Sequence, residues 1–183
     1  MTEQNTLLKP TLSAATTAKF AKEVLNGLSE NPKNLLSKYF YDSYGDRLFQ
    51  QIMNMPSYYL TRCELDIFKN QTDAIVTAIA SNDGPFDLIE LGAGDASKSS
   101  FLLKQLVNQQ AEFTYCPIDI SGNILAELEV KLLAEIPNLD VDCFQGEYFT
   151  ALQKATKRSN RRKVVLFLGG NIGNMELEEA TSF

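Results

Sequence analysis

The sequence predicts a doubly wound α/β fold, and three observations carry that prediction. Apolar runs of strand length alternate with helical patterns from Phe86 onward, the first run ends in a Gly-rich turn, and the Asn82-Asp83-Gly84-Pro85 turn sets this part off from a helical N-terminal region. The expected division is therefore 1–82, helical, and 83–183, the sheet domain. With 183 residues, 44% of them hydrophobic, the chain is long enough to bury a core of its own.

In the N-terminal region, Phe20, Val24, Leu25 and Leu28 recur at helical spacing between Thr11 and Leu28, with Thr16 or Thr17 as candidate caps. The stretch Tyr39-Phe40-Tyr41-Asp42-Ser43-Tyr44-Gly45 is too dense in aromatics for simple periodicity, and Leu48, Phe49 and Ile52 resume a helix. Met55-Pro56-Ser57-Tyr58 reads as irregular, and Thr61 as a cap for a helix from Cys63 towards Ile79.

In the sheet domain, Phe86 to Leu91 reads as the first strand, followed by a helix to about Asn108. A second strand runs from Phe113 to Ile118, with a helix from Ser121 to about Glu135 behind it. Leu139 to Phe144 reads as the third strand, and a helix from Phe149 leads to the fourth, Val164 to Leu168. Helices between strands require right-handed crossovers and so a parallel sheet. Four strands would leave an unprotected edge, and Met175 to Ala180 barely begins a helix, so the chain is expected to be a fragment of a longer protein. The basic run Lys154, Lys157, Arg158, Arg161, Arg162 and Lys163 reads as a solvated connection.

Composition narrows the chemistry. A formal charge of -6 gives phosphate backbones no general attraction, so a small-molecule ligand is expected rather than a nucleic acid. No segment approaches the ~20 apolar residues of a membrane helix, Met1 to Ala15 holds no apolar stretch long enough for a signal peptide, and a cytoplasmic location is expected. Cys63, Cys116 and Cys143 are too scattered for a disulfide framework or a zinc site, and no metal is expected. The sequence contains no histidine, which removes the usual general base and every His-based triad.

The turn Gly92-Ala93-Gly94 lies where α/β proteins bind nucleotides. Ser97 occupies the place of the third glycine of a dinucleotide fingerprint, which disfavours a nicotinamide cofactor, and a P-loop is absent. What remains is Glu90-Leu91-Gly92-Ala93-Gly94, with Asp119 at the end of the second strand and Glu147-Tyr148 past the third. A carboxylate at Asp119 can accept both hydroxyls of a ribose, Glu147-Tyr148 falls where an adenine would lie, and Lys98 can meet a carboxylate. Together these fit S-adenosylmethionine. Each has a plainer reading, with Asp119 as a helix cap, Lys98 as an exposed helix residue and Glu147 as a loop acid.

These residues, with Pro32-Lys33, Lys38-Tyr39-Phe40-Tyr41-Asp42, Leu48-Phe49 and Ile52, Pro56-Ser57-Tyr58-Tyr59-Leu60-Thr61-Arg62 and Glu64, Pro117-Ile118, Phe167-Leu168-Gly169 and Ile172-Gly173-Asn174, resemble the S-adenosylmethionine-dependent histidine N-alpha-methyltransferases of ergothioneine biosynthesis, which make hercynine. The resemblance implies a Rossmann-like class I methyltransferase sheet, of which the first four strands are present. It implies that Gly92, Lys98, Asp119, Glu147 and Tyr148 hold the cofactor, and that Tyr58 and Asn174, with Tyr41 close by, hold an amino-acid substrate. The plainer readings are a half-buried core tyrosine for Tyr58 and a helix cap for Asn174. Glu147 stands where an Asp is expected, and Gly170-Asn171 where Ser-Thr-like residues are commoner. In the family a later segment completes the sheet and supplies the residues that grip the imidazole, while some relatives methylate other amines. A monomer is expected for the full-length protein. A cofactor-binding module without turnover and a nicotinamide oxidoreductase are the rival readings.

Overall fold

The computed structural model describes residues 14–80, 84–175 and 177–183. They form two compact units, one ending at Tyr39 and the other running from Phe40 to Phe183. The Thr11 end of the first expected helix and the Asn82-Asp83 part of the expected turn lie outside the described residues.

In the first unit, helix α1 (Ala14–Ser29) leads through a short connection to a 3-10 turn at Ser37–Phe40. Thr16 and Thr17 lie inside α1 rather than at its cap. The Phe20 ring meets Tyr39 edge-on with centroids 4.7 Å apart, and Glu23 accepts from Lys38 at 2.8 Å and from the Tyr39 hydroxyl.

The second unit opens with α2 (Ser43–Met53), which begins earlier than its apolar spacing suggests because Asp42 caps it, accepting from the amides of Tyr44 and Gly45. Helix α3 (Leu60–Ala80) likewise starts ahead of Thr61, its first turn closed by the Cys63 amide on the Tyr59 carbonyl. The alternating part follows as β1 (Phe86–Leu91), α4 (Ser100–Asn108), β2 (Phe113–Asp119), α5 (Gly122–Glu135), β3 (Phe144–Gln145), α6 (Tyr148–Lys157) and β4 (Arg162–Phe167). A 3-10 turn at Asn171–Asn174 and α7 (Leu177–Ser182) complete it.

The sheet order is β3-β2-β1-β4, and every pairing is parallel. This is the doubly wound parallel arrangement that the alternation predicts and the Rossmann-like sheet that the resemblance implies, with β1 inside the sheet and β4 at an edge. The third strand is shorter than expected. Between Leu139 and Phe144 the chain touches β2 at a single bridge, Val141 beside Tyr115, while Asp140 is drawn to the Thr114 hydroxyl and Asp142 to Arg158.

The alternation of strand side chains sorts the core into two layers. Phe86 and Leu88 of β1 and Tyr115 of β2 face one layer with Phe68 and Val76 of α3, Leu102, Leu103 and Leu106 of α4, and Leu128 and Leu132 of α5. Ile89 and Leu91 of β1, with Cys116 and Ile118 of β2, face the other layer against Ala151 and Ala155 of α6. Leu88, Ile89 and Leu91 are fully enclosed, each worth about 1.5–3 kcal/mol of burial.

Two acids share β1 with these apolar side chains. Asp87 points to the α6 layer, where Lys163 donates to it at 2.7 Å, Ser159 at 2.6 Å and Arg158 at 3.3 Å. The basic run is thus not wholly solvated, since two of its cations serve a buried carboxylate. Glu90 points to the opposite layer.

Candidate functional site

In a parallel sheet all the strands end on one side, and the turns leaving them are neighbours. Here the turns after β1, β2, β3 and β4 meet around Gly92. Its backbone is left-handed at φ +67, and an added Cβ would lie 2.5 Å from the Asn171 side chain and 2.8 Å from the Tyr148 hydroxyl. Glycine is therefore required on two counts, conformation and space. The backbone stays left-handed at Gly94 (φ 56) and Ala96 (φ 52) before α4 begins.

Asp119 ties two of these turns together. One carboxylate oxygen accepts the Gly94 amide at 3.1 Å and the other accepts the Ser121 amide at 3.0 Å. Each oxygen retains a second lone pair, so the group can still accept hydroxyl hydrogens from a ligand. Burial raises its pKa, opposed by the Ser121 and Gly94 amides. The cap of α5 is Ser121, whose hydroxyl accepts from Ile124 and donates to Asp46 at 2.6 Å. Asp119 is thus not the helix cap of its plainer reading.

The tyrosines gather on the same side. Tyr41 and Tyr58 flank the ring of Phe49 at 6.1 and 6.2 Å, each edge-on. Arg62 holds the preceding turn by donating to the carbonyls of Met55 and Pro56, which fixes where Tyr58 emerges. Burial raises the Tyr41 pKa, with Asp119 and Tyr58 contributing, and raises that of Tyr148, with Asp119 and Tyr41 contributing. At neutral pH both phenols are therefore uncharged O–H groups, within electrostatic reach of one carboxylate.

The remaining predicted residues stand as follows. Lys98 donates to Glu64 at 2.5 Å. Glu147 is exposed and occupies the N-cap position of α6, and Asn174 is an exposed residue closing the 3-10 turn beyond β4. Glu90, expected beside Asp119 and Glu147, is enclosed at 2% exposure and accepts the Tyr115 hydroxyl at 2.5 Å, so it braces the sheet from within. Three residues at the site have no role assigned from the sequence, although Glu64 belongs to a stretch that matches the family and Asn171 to a departure from it. Glu64 bridges Lys98 to the Gly169 amide, Asn171 donates to the Leu168 carbonyl against Gly92, and Asp46 receives Ser121. Their partners lie far along the chain or in a turn of unusual backbone, beyond the reach of spacing.

This group has donors and acceptors that could hold a nucleoside. A carboxylate sits at the second strand end, an aromatic hydroxyl at the third, and a glycine that no side chain may replace stands between them. The donors and acceptors present fit an adenosyl group with an amino-acid tail. No metal-binding group of three or more His, Cys, Asp or Glu occurs among the described residues, and no described helix is long and apolar enough to cross a membrane.

The chain is similar to several known proteins. Histidine N-alpha-methyltransferase from Mycolicibacterium smegmatis is 32% identical over 154 residues, covering 84% of this chain and 46% of that protein. Ergothioneine biosynthesis protein 1 from Schizosaccharomyces pombe is 32% identical, covering 81% of this chain and 20% of its own length. A 4-dimethylallyltryptophan N-methyltransferase from Claviceps fusiformis is 31% identical, covering 88% and 46%. The chain spans less than half the length of these relatives. The family described as SAM-dependent, histidine-specific methyltransferase matches residues 20–183, and the chain belongs to it.

Proposed function

We propose that the full-length protein transfers methyl groups from S-adenosylmethionine to the α-amino nitrogen of an amino acid, histidine first among the candidates. The observation that carries this reading is the Asp119 carboxylate, which ties the Gly94 and Ser121 amides together beside Gly92 and keeps lone pairs for a ribose. Membership of the family supports it. In this reading Gly92, Asp119, Glu147 and Tyr148 hold the adenosyl group and Lys98 meets the carboxylate of the cofactor. Tyr41, Tyr58 and Asn174 orient the amino acid. Residues 1–82 then contribute to the substrate side and 83–183 to the cofactor side.

When bound, the sulfonium cofactor supplies an already activated methyl group. S-adenosylhomocysteine would be the leaving group, and the amine would have released its ammonium proton to solvent beforehand. What the protein must do is hold a neutral amine in line with that carbon. No strong base is needed for this, which suits a chain without histidine. Tyr41 and Tyr148, kept protonated by their surroundings, are available as hydrogen-bond donors. We place the full-length protein in the cytoplasm as a monomer, to be checked by fractionation and light scattering.

Calorimetry of the full-length protein with S-adenosylhomocysteine tests the cofactor site. Binding is expected, and Asp119→Ala should weaken it by about 1.5–3 kcal/mol, the loss of hydrogen bonds to a charged acceptor. Unchanged affinity in that variant removes the ribose assignment. Mass spectrometry of an amino-acid panel incubated with the cofactor tests the acceptor. Trimethylhistidine is the expected product, methylation of a different amine rejects histidine, and cofactor binding with no methylated product favours a module without turnover.

A further inference from the structure

We propose that Glu64 is a positioning residue that couples the cofactor side of the site to the substrate side. The inference rests on the reading above and adds to it a residue with no assigned role. Glu64 lies one turn into α3, the helix that follows Tyr58. One of its oxygens accepts the Lys98 ammonium at 2.5 Å, and the other accepts the Gly169 amide. Those partners lie 34 and 105 residues away along the chain, in the turn after β1 and the turn after β4. One carboxylate thus joins three separate segments at the mouth of the site, and its side chain and that of Lys98 are each only 20% exposed.

The two contacts differ in kind. Lys98 has three N–H donors, and Glu64 takes one, which leaves two to meet an incoming carboxylate. Glu90, enclosed nearby, lies within electrostatic reach of both Lys98 and Glu64. Any ligand that draws on Lys98 therefore changes the pull on Glu64. On the other side, Gly169 has left-handed backbone at φ +73 and begins the turn that carries Asn171 and Asn174. A shift in the hold on its amide reaches the residues proposed to orient the amino acid. The proposed coupling is favourable, and because coupling between two sites is reciprocal each ligand should improve the affinity of the other by the same factor.

The test is calorimetry of the full-length protein with S-adenosylhomocysteine alone, with histidine (or the amino acid the panel identifies) alone, and with each in the presence of the other. In the wild type the second ligand is expected to bind more tightly by a factor of about 5 to 150. In Glu64→Gln, which cannot carry the charge, that factor should fall towards one, whatever the affinity of each ligand alone. Glu64→Asp serves if the Gln variant does not fold. A carboxylate one methylene shorter keeps the charge but cannot span both partners, so it too should lose the enhancement. An undiminished factor in either variant, parallel weakening of both ligands with the factor intact, or no enhancement in the wild type overturns the role of Glu64. Failure of the wild type to bind S-adenosylhomocysteine instead overturns the functional reading beneath it.

Discussion

Strand β1 carries two buried carboxylates three residues apart, and the sheet treats them in opposite ways. Asp87 lies at the end where β1 begins and faces α6, among Arg158, Ser159 and Lys163. Burial alone would push its pKa up, but the combined pull of Lys163, Ser159 and Arg158 leaves it below its ordinary value. Glu90 lies at the end where the strand meets the glycine turn and faces the other layer. Burial raises its pKa, and the Tyr115 hydroxyl opposes that only in part. One end of the strand is therefore held by cations and the other by a hydrogen bond from an uncharged phenol under a polar site. Apolar strands tolerate an acid when the neighbouring layer supplies either remedy.

The largest expected effect breaks the charged end. Asp87→Ala strands two cations and should cost about 3 kcal/mol of folding stability by chemical denaturation. The affinity for S-adenosylhomocysteine should change by no more than about twofold, because the site lies at the opposite end of β1. At the site end, Gly92→Ala forces a left-handed alanine against Asn171 and Tyr148. It should weaken S-adenosylhomocysteine by at least about tenfold, about 1.4 kcal/mol, in calorimetry. A Glu90→Gln variant sharpens the contrast with the smallest change, because its amide oxygen still accepts from Tyr115. Its stability at neutral pH should stay within about 1 kcal/mol of the wild type.

The pH dependence of the two variants should run in opposite directions. The folded pKa of Asp87 is lowered, so its contribution is complete above the ordinary value of 3.8 and is lost as pH falls through the folded value. For Glu90 the folded pKa is raised, so its contribution is complete below 4.5 and is lost as pH rises through the folded value. Denaturation curves across pH should therefore show Asp87→Asn flattening the acid limb. Glu90→Gln should gain on the wild type as pH climbs from 4.5. The same slope for both variants would contradict the contrast.

Local pattern carried much of the fold. The apolar run of β1, the turn at Gly92 and the helices between strands are short-range signals, and the parallel sheet follows from them. Asp119 was legible because a strand end is a position the sequence can mark. Glu90 was misplaced for an instructive reason. An acid just before a glycine turn looks the same whether it faces a ligand or a tyrosine, and only the register of β1 and β2 decides. That register sets Leu88 beside Tyr115 and leaves Glu90 one pleat further along the same face. The cations that serve Asp87 were hidden likewise, 71 and 76 residues away in a run that looked like ordinary surface. Glu64 and Asn171 depend on turns whose meeting is a product of the whole topology.

The bond from Asp119 to the Gly94 amide has a kinetic side. Because the protein fastens its own loops with this carboxylate, the entropy of ordering them is lost on folding rather than on encounter with a ligand. Association should then proceed without a slow rearrangement at the proposed ribose end, and differences among ligands should be expressed in their residence times.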